Sequence, residues 1–284
     1  MPPAESYAAP APSGAQPPGA PGARAHGRPL RRPGARGLGL GVATLYLSAF
    51  VLIPLAAVAV KAVSQGPATL WRSITTPTAL KALAVTLVAS LLVAAIGAVM
   101  GTLMAWVLVR DRFPGKRFVN SLIDLPFALP TIVAGLTLIA LYGPDSPFGV
   151  HLAFTRAAVV LALLFVTLPF VVRSVQPVLI ELDREVEEAA ASLGSSNATT
   201  FRRVILPALR PAIVSGAALA FARAMGEFGS LVLIAGKVQI ASIVIYADVE
   251  SGDPQSAASL SIVLLAVSLV VLVIIRRLGA GRAG

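Results

Sequence analysis

Six apolar runs divide this chain and constrain its fold more than any other feature. They cover about residues 38–63, 80–109, 122–142, 157–176, 209–235 and 256–275. A hydrocarbon core ~30 Å thick is crossed by roughly 20 helical residues, so each run is long enough to span it. Inside lipid every backbone N–H and C=O must be paired internally, which leaves only helices or closed barrels. Alternating segments of ~10 residues, as a barrel requires, do not recur. The sequence therefore predicts an all-α integral membrane protein with six transmembrane helices in the lipid bilayer. Composition agrees: 13% of residues are charged and 56% hydrophobic, whereas a soluble domain carries roughly 25% charged residues.

The formal charge of +10 follows from topology and not from nucleic-acid binding, because the basic residues cluster at the ends of apolar runs. Arg24, Arg28, Arg31, Arg32 and Arg36 precede the first run, and Arg110, Arg112, Lys116 and Arg117 follow the second. Arg184, Arg202 and Arg203 follow the fourth, and Arg276, Arg277 and Arg282 follow the last. The alternate loops are sparser, holding Lys61, Arg72 and Lys81, then Arg156, then Lys237. The positive-inside rule then predicts that both termini are cytoplasmic. The loops expected outside, 143–155 and 236–255, are too short to form a domain that encloses a solute.

Residues 1–36, rich in Pro, Ala and Gly, cannot bury a core and are expected to form a disordered cytoplasmic tail. Arg31-Arg32 ahead of an apolar run could mimic an export signal, but that run is long for one. Residues 37–65 are therefore expected to be a retained first transmembrane helix, with the remaining spans in one domain over 77–277. Cysteine is absent and the only histidines are His26 and His151, so no metal site is expected. Gly115-Lys116 and Gly236-Lys237 lack the upstream glycine and the Ser or Thr of a phosphate-binding loop. No cofactor is expected in this chain, and any nucleotide-driven work must draw on a partner.

Residues 181–207 form a charged island between the fourth and fifth runs. Asp183 suits a helix N-cap, and Glu185, Glu187 and Glu188 suit the first turns. Val186, Ala190 and Leu193 fall on one apolar stripe. Gly194 is placed to end the helix with positive φ. A second short helix, capped by Ser195, Ser196 or Asn197, is expected through Phe201 to Leu206, with Pro207 starting the return into the membrane. Such a loop is either a solvated amphipathic segment or a coupling helix for a soluble partner. The small residues Ala189, Ala190, Ala191 and Ser192 favour the second.

Glu188-Ala189-Ala190, Gly194, Val204 and Leu206-Pro207 resemble the EAA signature of permease subunits of bacterial ABC importers, with Val204 in place of the usual Ile. The resemblance implies a type I ABC importer permease fold. It further implies that Glu188, Ala189, Ala190, Gly194, Leu206 and Pro207 couple to a separate pair of ATPase subunits that bind ATP and Mg. Asp124-Leu125-Pro126-Phe127-Ala128-Leu129-Pro130 and Leu168-Pro169-Phe170-Val171-Val172-Arg173 look like sulfate/thiosulfate permeases of the CysT type. Phe221-Ala222-Arg223-Ala224-Met225-Gly226-Glu227 is similar to oxyanion permeases more broadly. The resemblance covers about residues 70–275. It implies a second permease of the CysW type, or a second copy, and an extracytoplasmic sulfate-binding protein at a bacterial cytoplasmic membrane. Molybdate or tungstate is the alternative cargo.

Arg223 and Glu227 are expected inside the fifth span, Arg223 near its middle. Ionised groups there are kept only where they face protein or water, and i,i+4 spacing lets the two pair. They form either a structural ion pair or the lining of a translocation path or gate. Pro126, Pro130 and Pro169 lie within spans and can bend them. Gly97 and Gly101 form a small face for close helix contact, within the subunit or with a second one. An ion-coupled secondary transporter would carry more intramembrane carboxylates, and Glu227 is the only one expected well inside a span. A structural membrane protein has no use for the loop. No residue is expected to be catalytic.

Overall fold

The computed structural model describes residues 33–280. The disordered tail expected over 1–36 lies outside these, except Pro33–Arg36, which open the first helix. In chain order α1 is Pro33–Leu47, α2 Ile53–Val63, α3 Pro67–Ile74, α4 Pro77–Arg110, α5 Lys116–Ala128 and α6 Thr131–Tyr142. There follow α7 Arg156–Glu181, α8 Arg184–Ser192, α9 Asn197–Thr200, α10 Leu206–Met225, α11 Leu231–Ile234, α12 Ala241–Glu250 and α13 Pro254–Ala280. Among the described residues there is no strand. Five helical stretches are long and apolar enough to cross a membrane: Gly39–Val63, Pro77–Arg110, Arg156–Glu181, Asn197–Met225 and Pro254–Arg277.

The third run is not the single span the sequence predicts. It divides into α5 and α6, bent by 116°. Leu129, ahead of Pro130, is extended at φ −86°, ψ 133°, as a residue preceding proline prefers. Pro126 and Pro169, in contrast, sit inside unbroken helices.

The fifth span also differs. Its helical stretch begins at Asn197, inside the loop, and ends at Met225. The expected second loop helix is therefore the start of this span. Pro207, which has no N–H to give, sits in the first turn of α10, directly after a π-helical turn at Phe201–Ile205. Beyond Gly226 the chain turns and re-forms as the short α11, so residues 226–235 are not a continuation of the span.

Long helices begin where capping is available. Thr76 accepts from the Ala79 amide ahead of α4 (3.2 Å), and Thr155 accepts from the Ala158 amide ahead of α7 (3.2 Å). Helices α4, α7 and α10 form the centre of the bundle. At the end nearer the charged loop they enclose a core that includes Leu108, Ile123, Val171, Val175, Leu179, Ile205 and Leu209. At the far end a second core holds Val93, Leu138, Val159, Leu163, Leu231 and Ile240. Helix α13 packs over Ala94, Phe221 and Met225. The small Gly97–Gly101 face meets Val171 of α7, so its packing lies within the subunit.

Candidate functional site

The charged loop is built from its caps outward. Asp183 accepts from the Glu185 amide (3.1 Å) and so starts α8. The helix ends in a Schellman arrangement: Gly194 N–H donates to Ala191 C=O (2.9 Å) and Ser195 N–H to Ala190 C=O (3.0 Å). This requires the left-handed φ of 81° at Gly194, where glycine pays no steric penalty. Ser196 then caps the next helix by accepting from the Thr199 amide (3.3 Å).

Two adjacent glutamates of α8 point different ways. Glu187 turns inward to Arg110 at the end of α4 (Nη2–Oε1 2.6 Å). Glu188 is exposed, as are Ala189 and Gly194. Ala190 is half-buried, while Leu206 and Pro207 are exposed. Leu193 is 89% exposed and Val186 is also exposed. Of the apolar stripe of α8, Val186 and Leu193 are therefore presented to the exterior, while Ala190 is half-buried. Beside it lies a groove of about 560 Å³ lined by Leu103, Trp106, Glu187, Asn197 and Phe201 among others.

Arg223 and Glu227 meet as an ion pair. Arg223 lies in the last turn of α10 and not near the middle of a span, and Glu227 sits just past the helix, in the turn. Glu227 is 1% exposed. Its Oε1 accepts from both the amide and the hydroxyl of Ser230 (2.9 Å each), and Ser242 Oγ donates to its carbonyl (2.7 Å). A buried carboxylate without such donors would cost several kcal/mol; here both oxygens are engaged. The turn rests on the start of α6: a Cβ at Gly229 would collide with Thr131 Oγ1, and one at Gly135 would stand 2.7 Å from Ser230 C=O. Arg223 is about one-third exposed, so the cation is the accessible member of the pair.

A second charged cluster escaped sequence reasoning. Arg173 of α7 holds Asp124 of α5 through Nε–Oδ1 (2.7 Å) and Nη2–Oδ2 (2.5 Å). Its remaining donors reach Asn120 Oδ1 (2.9 Å), Gln176 Oε1 (2.5 Å) and Asn120 C=O (2.9 Å). Asp124 lies at the start of the third apolar run, whereas Glu227, in the fifth, is the carboxylate expected well inside a span. Arg173, Asn120 and Gln176 also line an open cavity of about 800 Å³ together with Lys116 and Arg117. Among the described residues no group of His, Cys, Asp and Glu could hold a metal ion.

Apolar helices of membrane-crossing length packed around apolar cores, with a helical charged loop at one end, define a multi-pass membrane protein. The chain belongs to the family of binding-protein-dependent transport system inner membrane components, whose profile matches residues 97–281. It is 46% identical over 248 residues to the sulfate transport system permease protein CysT of Synechocystis sp., covering 84% of this chain and 87% of that protein. The CysT of Escherichia coli is 41% identical over 246 residues, covering 83% and 89%. Among solved structures, a bacterial ABC transporter involved in the import of the acidic polysaccharide alginate superposes with a TM-score of 0.74 at 16% identity, covering 88% of this chain and 96% of that one. The MetNI methionine ABC transporter superposes with a TM-score of 0.55 at 19% identity, covering 70% and 92%. The last two likenesses concern the fold, which is that of a type I ABC importer permease.

Proposed function

We propose that this chain is a permease subunit of an ATP-driven importer that moves sulfate or thiosulfate across the bacterial cytoplasmic membrane by alternating access. The observation that carries this reading is the 46% identity to a sulfate permease over 84% of the chain. The molybdate alternative is not carried further, because the similar curated proteins bear sulfate permease names. The chain itself is not an enzyme; ATP and Mg bind to a partner ATPase pair.

The orientation follows from the charge pattern. Both termini and the α8 loop face the cytoplasm, and α3 and α12 face outward. Exposed Glu188, Ala189, Leu193 and Gly194 form the ATPase contact, which the outward-facing Val186 and Leu193 favour. Leu206 and Pro207 set the angle at which the span leaves the loop. An extracytoplasmic binding protein delivers the anion, since the outer segments are short. A CysW-type subunit, or a second copy, completes the pore. Arg223 attracts the dianion along the path, and buried Glu227 moderates that attraction so the anion can leave.

Uptake of radiolabelled sulfate tests this, in a strain stripped of its own sulfate uptake and expressing the complete complex. Import that requires both ATP and the binding protein is expected. An assembled complex that imports molybdate but no sulfate or thiosulfate would overturn the cargo assignment.

A further inference from the structure

We propose that Arg110 is a positioning residue that makes α4 the transmission strut between the ATPase-facing loop and the outer end of the subunit. The proposal rests on the permease reading above. Chain connectivity joins α8 only to α7 and α10. Helix α4 has no covalent link to the loop, yet its last residue holds it at three points. Arg110 Nη2 pairs with Glu187 Oε1 (2.6 Å) and donates to Leu182 C=O (2.9 Å), while Arg184 Nη2 donates back to Arg110 C=O (2.9 Å).

These contacts satisfy carbonyls that the ends of α4 and α7 leave unpaired. They also set a cation at the C-terminus of α4 and an anion in the first turn of α8, the favourable sense for both helix dipoles. The Arg110 side chain is only 10% exposed. Its guanidinium lies 5.9 Å from the Trp106 ring centroid, and Trp106 packs edge-on to Phe201 beyond α9 (5.4 Å). The loop is thus pinned to α4 on both sides of Gly194.

At its other end α4 grips the outer segment. Thr86 Oγ1 accepts from the amide of Ala241, the first residue of α12 (2.9 Å). Thr86 and Arg110 are separated by ~36 Å of helix at 1.5 Å per residue. A displacement of α8 is therefore delivered along α4 to the start of α12, in addition to the routes through α7 and α10. Glu187 belongs to the strut and Glu188 to the ATPase contact, although the two are adjacent.

The test uses the complete complex in nanodiscs. The chain has no cysteine, so spin labels at Phe148→Cys and Val249→Cys, both exposed, are its only labels. Their separation is measured with and without ATP and vanadate, and sulfate import is measured per ATP hydrolysed. In Arg110→Gln the ATPase is expected to co-purify as before, while the nucleotide-driven distance change is lost and import per ATP falls about tenfold, within the usual range of site-to-site coupling. The charge-exchanged pair Arg110→Glu with Glu187→Arg is expected to recover part of both, since it restores the ion pair but not the donation to Leu182 C=O or the favourable dipole sense. If Arg110→Gln fails to assemble, Glu187→Gln and the exchanged pair are read in the same way. A distance change of unaltered size in assembled Arg110→Gln or Glu187→Gln overturns the proposal. A reference complex that shows the distance change but imports no sulfate refutes the cargo reading alone.

Discussion

Arg173 spends all its donors on one neighbourhood, and the two carboxylate oxygens of Asp124 take the pair that fixes its orientation. This fork joins α5, the first half of the broken third segment, to α7, which runs directly into the charged loop. The pair is only part-buried, with side chains 28% (Arg173) and 47% (Asp124) exposed, so removing one member costs less than in a fully buried pair but still strands the hydrogen-bond partners of the other. Asp124→Ala and Arg173→Ala should each lower stability by about 2 kcal/mol, as for hydrogen bonds to charged groups. The double substitution Asp124→Leu with Arg173→Met should cost less than either single change. Melting midpoints of the purified protein in detergent check both; a double variant that falls by the sum of the singles would sink the argument.

Helices α4, α7 and α10 are held close by glycines that press on Val171. A Cβ at Gly101 would stand 2.7 Å from Val171 Cβ, and one at Gly216 would stand 2.8 Å from Val171 Cα. A Cβ at Gly97 would be at 3.7 Å, an ordinary contact. Gly101→Ala and Gly216→Ala should therefore cost ~1–3 kcal/mol through overpacking. Gly97→Ala should be neutral or gain up to ~1 kcal/mol from helix propensity. Val171→Ala should rescue neither variant fully: it removes the Cγ1 that Gly101→Ala would meet at 2.9 Å, but alanine keeps the Cβ at 2.7 Å, and Gly216→Ala still meets the Cα at 2.8 Å. Thermal melts of the three alanine variants and the two doubles decide this.

These contrasts show what the sequence carried and what it did not. The apolar runs marked every long helix, because hydrophobic length is a local property. Pro126, Pro130 and Pro169 marked where helices can bend, but of the three only Pro130 lies at a break. Pro126 and Pro169 look the same in sequence, and tertiary packing holds their helices together. Asp183 and Gly194 were legible, and Ser196 was one of three candidate caps, because capping acts over three or four residues. The Arg223–Glu227 pairing was legible from its spacing, but not the helix end at Met225, since Ser230 completes the turn only once it folds back. Arg173–Asp124 and Arg110–Glu187 were not legible: each joins residues far apart in the chain, and each alone resembles an ordinary charge at the edge of an apolar run.

Leu193 and Gly194 separate docking from folding. Leu193 is 89% exposed, so Leu193→Asp should change the subunit's own stability by less than ~0.5 kcal/mol while abolishing ATPase co-purification. Gly194→Ala acts through the backbone instead, since open space surrounds its Cβ position but φ is 81°. A left-handed alanine costs ~1–2 kcal/mol, so this variant should lose stability and weaken ATPase binding together. Pull-down with the ATPase, alongside a melt of the permease, distinguishes them. Retention of the ATPase by Leu193→Asp would remove the stripe from the contact.

The start of α13 should respond to acid. Asp253 accepts from the Ser256 amide (3.0 Å), and Pro254 follows it in the first helical position, where a missing N–H costs nothing. Hydrogen bonds from the Ser256 side chain and backbone hold the Asp253 carboxyl below its ordinary value, outweighing a small opposing effect of burial. A depressed folded value means that the stabilisation is full above the unfolded value of ~3.9 and fades as pH falls through the folded one. Amide exchange in the first turn of α13, corrected for intrinsic rate, should accelerate as pH falls below about 4. Asp253→Asn should abolish that dependence, and Asp253→Ala should cost about 1 kcal/mol at neutral pH. An equal acid response in Asp253→Asn would assign it to another group.

The last prediction concerns the buried carboxylate. Glu227 has two donors from Ser230 and one cation, Arg223. Neutralising the cation leaves a charge that is 1% exposed without its counter-ion; because Arg223 is about one-third exposed, the loss should fall below the ~3–5 kcal/mol of a fully buried pair. Arg223→Gln should therefore destabilise the turn that rests on α6, whether or not Arg223 meets the anion. The second substitution separates the two roles. Arg223→Gln combined with Glu227→Gln removes both charges and keeps hydrogen-bonding groups, so it should regain much of the stability. If Arg223 serves only Glu227, uptake returns with stability; if it also draws the dianion along the path, uptake stays low in a stable, assembled complex. Sulfate uptake measured beside the melting midpoint of the double variant gives the answer, and full recovery of uptake would remove Arg223 from the path.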